Sequence, residues 1–148
     1  IRDSNTNHVV FRDKSFKRNT YVYHQWRANP ADLLGHFLYR DIRQSGLFKA
    51  VLPHTSSFAA ACILDGSVDE FFEWDQDGHW DAVLSLGITL IAEGEPDVSK
   101  RILFQRTYHA KEACKRKNPQ ALAEAMSRAM ARLSKKIMED IYDCLKKA

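Results

Sequence analysis

The side chains best suited to bind a metal ion lie in one acidic stretch near the middle of the chain. Glu73, Asp75 and Asp77 place carboxylates at alternate positions before a glycine, which is how a calcium-binding loop begins. Position twelve of that frame is Leu84, where a calcium loop needs a bidentate glutamate. An Asp-Gly hairpin turn explains the same residues more simply, so we expect no metal site.

No arrangement of side chains typical of catalysis occurs in the sequence. It lacks Gly-x-Ser-x-Gly, a glycine-rich phosphate loop and His-Glu-x-x-His. Its six histidines are scattered without the spacing of metal ligands. A lone histidine such as His36 is more often packed or solvated than functional. We therefore expect a protein that is not an enzyme and binds no cofactor.

The charge of the chain is nearly balanced. Its 22 basic and 19 acidic side chains are interspersed and give a net charge of +3. Basic residues cluster at 111–117 and along the last predicted helix, but a nucleic-acid surface would also need exposed aromatic rings for stacking. The aromatic residues fall mainly on apolar strand faces. A solvated helix face is the better interpretation, and we expect no nucleic-acid partner.

Three aromatic residues around the acidic stretch are the best candidates for contact with a partner. Phe71, Trp74 and Trp80 flank the turn at one end of the predicted sheet. If they form exposed apolar surface, the expected contact is a protein or a lipid. Burial in the core is the simpler expectation for most of this group.

Two helices are predicted, and both begin with Asn-Pro. Asparagine is a good N-cap, and proline fits the first helical position because its missing N–H would have no partner there. Asn29 and Pro30 open a helix that should run to Ser45, since apolar residues recur at helical spacing and a glycine follows. The second helix, Pro119 to Leu145, carries one long apolar stripe that we assign to the core.

Alternation of apolar and polar residues predicts the strands. The clearest case is the unbroken apolar row at even positions from Trp80 to Leu90. The even positions of Cys62–Trp74 and of Arg101–Ala110 continue the pattern, with Arg106 as the exception. Turns join these strands into an antiparallel meander. Three earlier strands are expected at His8–Phe11, Thr20–Trp26 and Leu47–Leu52.

The order of these elements predicts one α+β domain over residues 1–148. A strand-helix-strand unit precedes the meander and the long helix follows it, which gives a mixed sheet of five to six strands. The right-handed crossover puts the first helix on one face, and the second helix should cover the apolar face of the meander. The opposite face is expected to be wetter or used for contacts. It carries Asp65, Ser67, Ser85, Thr89, Gln105 and Thr107.

The three cysteines are expected to be free thiols. A disulfide needs Cα atoms within ~7 Å, whereas Cys114 and Cys144 flank a helix that separates them by ~38 Å. Cys62 begins the first meander strand and Cys114 follows the third, so they lie at opposite ends of the sheet. Cys62 and Cys144 share an end and are the only pair that could form an internal bridge.

Three short motifs occur in order along almost the whole chain. The first contains Tyr23, His24 and Trp26, followed by Asn29 and Pro30. Leu-Phe-x-Ala-Val at 47–51 opens the next strand, and Ala-Leu-Ala-Glu-Ala-Met-Ser-Arg-Ala at 121–129 lies in the last helix. Together these motifs resemble the ABC-type transport auxiliary lipoprotein family. The five residues of the first motif are interpreted as a family signature with a structural role.

The resemblance implies a TolB N-terminal-like mixed sheet and a periplasmic lipoprotein of Gram-negative bacteria. It implies a signal peptide and a lipidated cysteine upstream, and hence a membrane anchor, with the outer membrane favoured. The implied partners are an ABC transporter and mammalian-cell-entry-type envelope proteins that move lipids or other hydrophobic molecules. Homo-oligomerisation is left open.

Three functions follow as hypotheses. The leading one is a non-enzymatic accessory subunit that contacts envelope proteins through its polar sheet face or strand-end loops. The second is a direct carrier of a lipid or other apolar ligand, which requires a cavity between helix and sheet lined by Leu84, Leu86, Phe104 and Met126. The third and least favoured is a nucleic-acid-binding module.

Overall fold

Six strands and two long helices make up the part of the chain that the computed structural model describes, residues 10–13, 17–18, 30–53, 55–76 and 78–146. Both predicted helices and the three meander strands are confirmed, and the predicted strand at 20–26 lies outside the described residues. The elements are β1 (Val10–Asp13), β2 (Lys17–Arg18), α1 (Pro30–Gln44), β3 (Ala50–Leu52), β4 (Cys62–Gln76), β5 (His79–Ala92), β6 (Ile102–Ala113) and α2 (Pro119–Lys146). A short 3-10 helix, Val98–Lys100, lies between β5 and β6.

All six strands belong to one mixed sheet. The strand order is β3-β1-β4-β5-β6, and β2 also pairs with β4. β1 is parallel to both β3 and β4, whereas β4, β5 and β6 are mutually antiparallel. The predicted α+β fold, with a strand-helix-strand unit followed by a meander, is therefore confirmed.

Both helices pack against the same side of this sheet. Their apolar residues join those of the strands in one core cluster, in which Leu38 of α1, Leu84 of β5 and Ile137 of α2 are fully buried. The even positions of β5 from Ala82 to Leu90 supply the central row of this core. Covering one face with both helices accounts for the regular alternation of β5.

A β-bulge in β4 overturns part of the predicted alternation. The pairing of β4 with β5 shifts between Val68 and Glu70, so that Asp69 has no ladder partner. An extra residue in one strand moves all following side chains to the other face. Phe71 therefore points into the core and is 1% exposed, while Phe72 and Trp74 point away from the helices. Placing Phe72 and Trp74 in the apolar row with Cys62 was wrong for this reason.

The strands share a common end, which we name the basal end. β1, β3, β4 and β6 begin there and β5 ends there. Backbone hydrogen bonds extend the alignment beyond the strands, from Glu93 N to Ala61 O (2.9 Å) and from Ala92 N to Arg101 O (2.7 Å). The opposite end, where Trp74 lies, is the distal end.

Helix α2 begins at the distal end and runs back along β6 towards the basal end. Its start is capped by Asn118, whose Oδ1 accepts the Ala121 N–H at 2.8 Å, as the Asn-Pro pattern predicts. Arg128 then donates to the carbonyl of Ala113, at the distal end of β6. This bond satisfies a carbonyl on the open edge of the sheet, where unpaired backbone groups would otherwise invite another strand.

A buried ionic cluster fixes α2 farther along β6. Asp140 is 8% exposed, and its Oδ2 accepts the Tyr108 hydroxyl at 2.7 Å and lies 3.1 Å from Arg106 Nη1. Lys136 Nζ lies 3.2 Å from Oδ1. Burial disfavours the Asp140 carboxylate, but the hydrogen bonds from Tyr108, Lys136 and Arg106 outweigh it and lower its pKa. Arg106, the exception in the predicted apolar row, is thus the partner of a helix carboxylate.

Candidate functional site

The face of the meander that points away from the helices, which we name the outer face, is the candidate surface for partner contacts. Gln105 Nε2 donates to Thr89 Oγ1 at 2.9 Å across two strands of this face. The polar face predicted from the sequence is therefore present in the basal half of the meander. Its cross-strand rows are Ser67, Gly87 and Thr107, then Asp65, Thr89 and Gln105.

Gly87 forms the floor of an open polar depression of about 420 Å³ in the outer face. A Cβ at this position would lie 2.7 Å from Ser67 Oγ and 3.2 Å from Asp69 Oδ2, so glycine leaves room that no other residue would. Ser67 Oγ in turn donates to Asp69 Oδ1 at 3.0 Å. The wall is mostly hydroxyl, carboxylate and amide, and it offers hydrogen bonds to a polar partner. It includes Asp65, Ser67, Asp69, Thr89, Gln105 and Thr107.

A serine, a histidine and a glutamate meet in the middle of the outer face, but not as a catalytic relay. Ser85 Oγ lies 2.7 Å from both Glu70 Oε1 and His109 Nδ1, and the same Nδ1 lies 3.4 Å from Glu70 Oε1. A relay requires one imidazole nitrogen facing the nucleophile and the other facing the acid. Here a single nitrogen faces both. The trio binds three strands together and leaves half of the His109 ring exposed.

An aromatic pair and a buried carboxylate mark the distal part of the outer face. The Phe72 and Trp74 rings have centroids 6.0 Å apart, and Trp74 is 46% exposed. Asp81, directly opposite Trp74 in the ladder, is 6% exposed. Its Oδ2 lies 3.5 Å from both His79 Nε2 and Lys111 Nζ.

The three aromatic residues singled out from the sequence do not form one surface. Phe71 lies in the core, so its assignment as a contact residue was wrong, and the β4 bulge is the cause. Trp80 is half-buried and pairs with Asp75 on the helix side, whereas Trp74 lies on the outer face. A contact role for Trp74 or Trp80 stays a prediction, and the two residues would serve different faces.

Most of the signature motif falls outside the described residues. Tyr23, His24, Trp26 and Asn29 lie outside the described residues, whereas Pro30 is the first residue of α1.

No cluster of three or more metal-binding side chains occurs within the described ranges. Neither of the helices described there is long and apolar enough to cross a membrane.

The cysteines lie where the topology predicts. Cys62 begins β4 at the basal end, and Cys114 follows β6 at the distal end, where its N–H donates to Trp80 O. Burial and the nearby Cys144 raise the pKa of the Cys62 thiol to about 11. All three cysteines are free thiols.

Comparison with known proteins identifies the family. The model of the ABC-type transport auxiliary lipoprotein component matches residues 5–138 of the chain. The protein belongs to this family. A search of curated protein sequences finds no significant match.

Solved structures share the fold of this auxiliary lipoprotein at low sequence identity. Protein XCC0632 from Xanthomonas campestris aligns with a TM-score of 0.82 at 15% identity, covering 96% of this chain and 88% of its own. Hypothetical protein CT253 from Chlamydia trachomatis gives 0.73 at 10% identity, with coverages of 93% and 98%. A minor lipoprotein from Acinetobacter baumannii gives 0.55 at 13% identity, with coverages of 92% and 94%.

One group of exposed residues in this auxiliary lipoprotein was missed by sequence reasoning. Phe58, Val98 and Ile102 are 74%, 71% and 56% exposed. Phe58 and Val98 lie in connecting segments, where no period of two or 3.6 distinguishes an exposed apolar residue from a buried one. Placing Ile102 in the apolar row of Arg101–Ala110 was wrong, because a register shift between Leu90 and Ile91 pairs Ile102 with Ile91 on the outer face.

Proposed function

We propose that this auxiliary lipoprotein is a non-enzymatic accessory subunit of an ABC-type transport system in the Gram-negative periplasm. It is tethered to a membrane, with the outer membrane favoured, by a lipid on a cysteine upstream of Ile1. The system moves lipids or other hydrophobic molecules together with mammalian-cell-entry-type proteins. The observation that carries the proposal is the family match over residues 5–138.

The outer face supplies the contact surface for the partner subunits. It is long, and its basal half presents hydroxyl, amide and carboxylate groups around Gly87. Interfaces between subunits that associate reversibly are no more apolar than the rest of a protein surface. A polar depression in the basal half of this face and the exposed Trp74 in its distal half fit such an interface, since tryptophan is enriched among residues that dominate binding energy.

A direct carrier role has less support. The four residues that would line a lipid cavity are all in the continuous core cluster, and Leu84 and Leu86 have no exposed surface. The depression around Gly87 lies on the other side of the sheet and is polar. An acyl chain would therefore have to displace packed side chains between sheet and helices.

The test is site-specific photo-crosslinking in the native membrane. The full-length protein carries a photoreactive residue at Gln105 or Thr107 of the outer face, or at Ser127 on the exposed side of α2 as the matched control. We expect crosslinks to transporter or mammalian-cell-entry-type subunits from the outer-face positions and few from Ser127. Equal crosslink yields from the outer face and from Ser127 would rule out the outer face as the specific contact surface for the partner. Recovery of no transport component, or no incorporation of labelled palmitate, would contradict the proposed function itself.

A further inference from the structure

Three of the most exposed large apolar side chains in the described part of the chain belong to segments at the basal end. Phe58, Val98 and Ile102 are each more than half exposed. Val98 lies in the connection between β5 and β6, and Ile102 is the first residue of β6. Phe58 precedes Ala61 by three residues and so lies within about 11 Å of the basal row of backbone hydrogen bonds.

The outer face is also apolar at this end. Ile102 pairs with Ile91, and Ile91 pairs with Ile63, which makes a row of isoleucines across three strands. Ile63 is buried, so the half-buried Ile91 and the exposed Ile102 are the members of this row that reach solvent. This row lies just beyond the polar row of Asp65, Thr89 and Gln105. Single exposed apolar residues are normal, whereas a group at one end of a molecule marks a contact site.

The described chain enters the fold at the same end. Val10 begins β1 and pairs with Ala50, while Phe11 pairs with Cys62. Strands lie about 4.8 Å apart, so three strand spacings, about 14 Å, separate β1 from β6 at this level. Trp74 at the distal end lies about 40 Å farther along β4. A lipid anchor upstream of β1 therefore reaches the basal end with a shorter tether than it would need to reach the distal end.

Charge does not oppose contact with a lipid surface there. The segment between β5 and β6 carries three acids, Glu93, Glu95 and Asp97, and two bases, Lys100 and Arg101. Lys100 Nζ lies 3.9 Å from Asp97, and Arg101 donates to the backbone carbonyl of Glu95 at 2.7 Å. Acids and bases are nearly balanced, so the attraction would come from apolar side chains rather than from anionic lipid.

We propose that the basal end rests on the lipid bilayer, with Phe58, Val98 and Ile102 inserted among the headgroups and upper acyl chains. The inference builds on the proposed function, because the upstream lipid anchor supplies the tether. It adds an orientation: the strands stand upright on the membrane, with the distal end farthest from it. Insertion depends on apolar burial, so a zwitterionic membrane is sufficient.

The test uses purified protein held by an N-terminal histidine tag on phosphatidylcholine vesicles that contain a nickel-chelating lipid. Brominated acyl chains quench tryptophan fluorescence only on close approach. The reporters are Phe58→Trp and Val98→Trp, the matched control is Lys115→Trp in the exposed segment at the distal end, and the parent protein supplies the baseline. We expect the added fluorescence at 58 and 98 to be strongly quenched and that at 115 to be unaffected.

A second measurement removes the contact. Without a tether, Phe58→Ser combined with Val98→Ser should lower the partition coefficient onto phosphatidylcholine vesicles by about tenfold or more, whereas Trp74→Ser should leave it unchanged. Equal or absent quenching at all reporters would overturn the proposal. Self-association that shields positions 58 and 98 without vesicles would assign the basal end to a second copy and overturn it as well. Because the tag replaces the native anchor, these outcomes are independent of whether the protein is lipidated in cells.

Discussion

Replacing Asp140 by alanine should destabilise the protein by about 2–3 kcal/mol. The Tyr108 hydroxyl donates to this carboxylate at 2.7 Å in a buried setting. A hydrogen bond to a charged group contributes about 1.5–3 kcal/mol, and the substitution also leaves the Tyr108 hydroxyl without its acceptor. Arg106 and Lys136 keep 51% and 62% of their side chains in water and can be solvated again, so they add little. For a chain of this length the expected fall in Tm is about 5–10 °C.

Urea unfolding followed by circular dichroism measures the loss, with Tyr108→Phe as the matched variant. Tyr108→Phe removes the donor but keeps Asp140 between its two cations, so it should cost less, about 1–2 kcal/mol. In a double-mutant cycle the pair should show coupling of about 1 kcal/mol or more, with the m-value unchanged. Tyr108, Lys136 and Arg106 lower the pKa of Asp140 in the folded state. The stability that the Asp140 carboxylate contributes is therefore fully present above its pKa in the unfolded chain, about 3.9, and is lost as the pH falls through its pKa in the folded state. The difference in stability between wild type and Asp140→Ala should therefore shrink as the pH falls below the unfolded value of about 3.9. A loss below about 0.5 kcal/mol at pH 7, or no coupling, would refute the reasoning.

Three further predictions test other parts of the structure. Phe71→Ala should cost about 3–5 kcal/mol and Trp74→Ala much less, because only Phe71 is in the core; the reverse order in urea unfolding would contradict the bulge. The thiol of Cys62 should react with iodoacetamide at pH 8 about 100-fold more slowly than a thiol of pKa 9, because the pKa of Cys62 is about 11. The rate should rise about tenfold for each pH unit, since the thiolate is the reactive form. Rapid labelling of Cys62 at pH 8, located by mass mapping, would contradict its burial. Asn118→Ala should cost about 0.5–2 kcal/mol by removing the bond to the Ala121 N–H, and Asn118→Ser should recover most of it in thermal unfolding.

The elements that were predicted well are those whose sequence pattern is set by one dominant contact. The even positions of β5 from Ala82 to Leu90 face the helices and are all apolar, so this side of the strand can be read from the sequence without a structure. The start of α2 is equally local, since Asn118 caps it through a bond to a residue three positions on. In both cases the information lies within a short stretch of chain.

The bulge in β4 could not be predicted because the alternation before and after it is equally regular. Phe71 and Phe72 are adjacent and both apolar, so either could face the core. The choice depends on partners far along the chain: Glu70 bonds to Ser85 of β5, which also contacts His109 of β6. Such a non-local preference leaves no trace in the local pattern, and the error carried over to the predicted aromatic contact group.

The candidate site follows the same division. The polar rows of the outer face were predicted because polar residues alternating with core residues must point away from the core. The depression itself was not predicted, since it exists because Gly87 has no side chain where it faces Ser67 and Asp69 of the neighbouring strand. A glycine within a strand pattern is a sign of close approach, but the sequence does not say to what.

Packing both helices on one face also separates the residues that stabilise the fold from those free to bind. Leu84 and Leu86 are fully buried under α2, whereas Gln105 and Thr107 on the edge strand are exposed and can change at little cost to folding.

If the basal end rests on a bilayer as proposed, the strands run along the membrane normal and the outer face turns sideways. A partner must then approach laterally rather than from above, and Trp74 would be met about 40 Å farther from the membrane than Ile102. Crosslinks from Gln105 should therefore reach partner segments close to the membrane that holds this protein, and those from Trp74 should reach partner segments farther from that membrane.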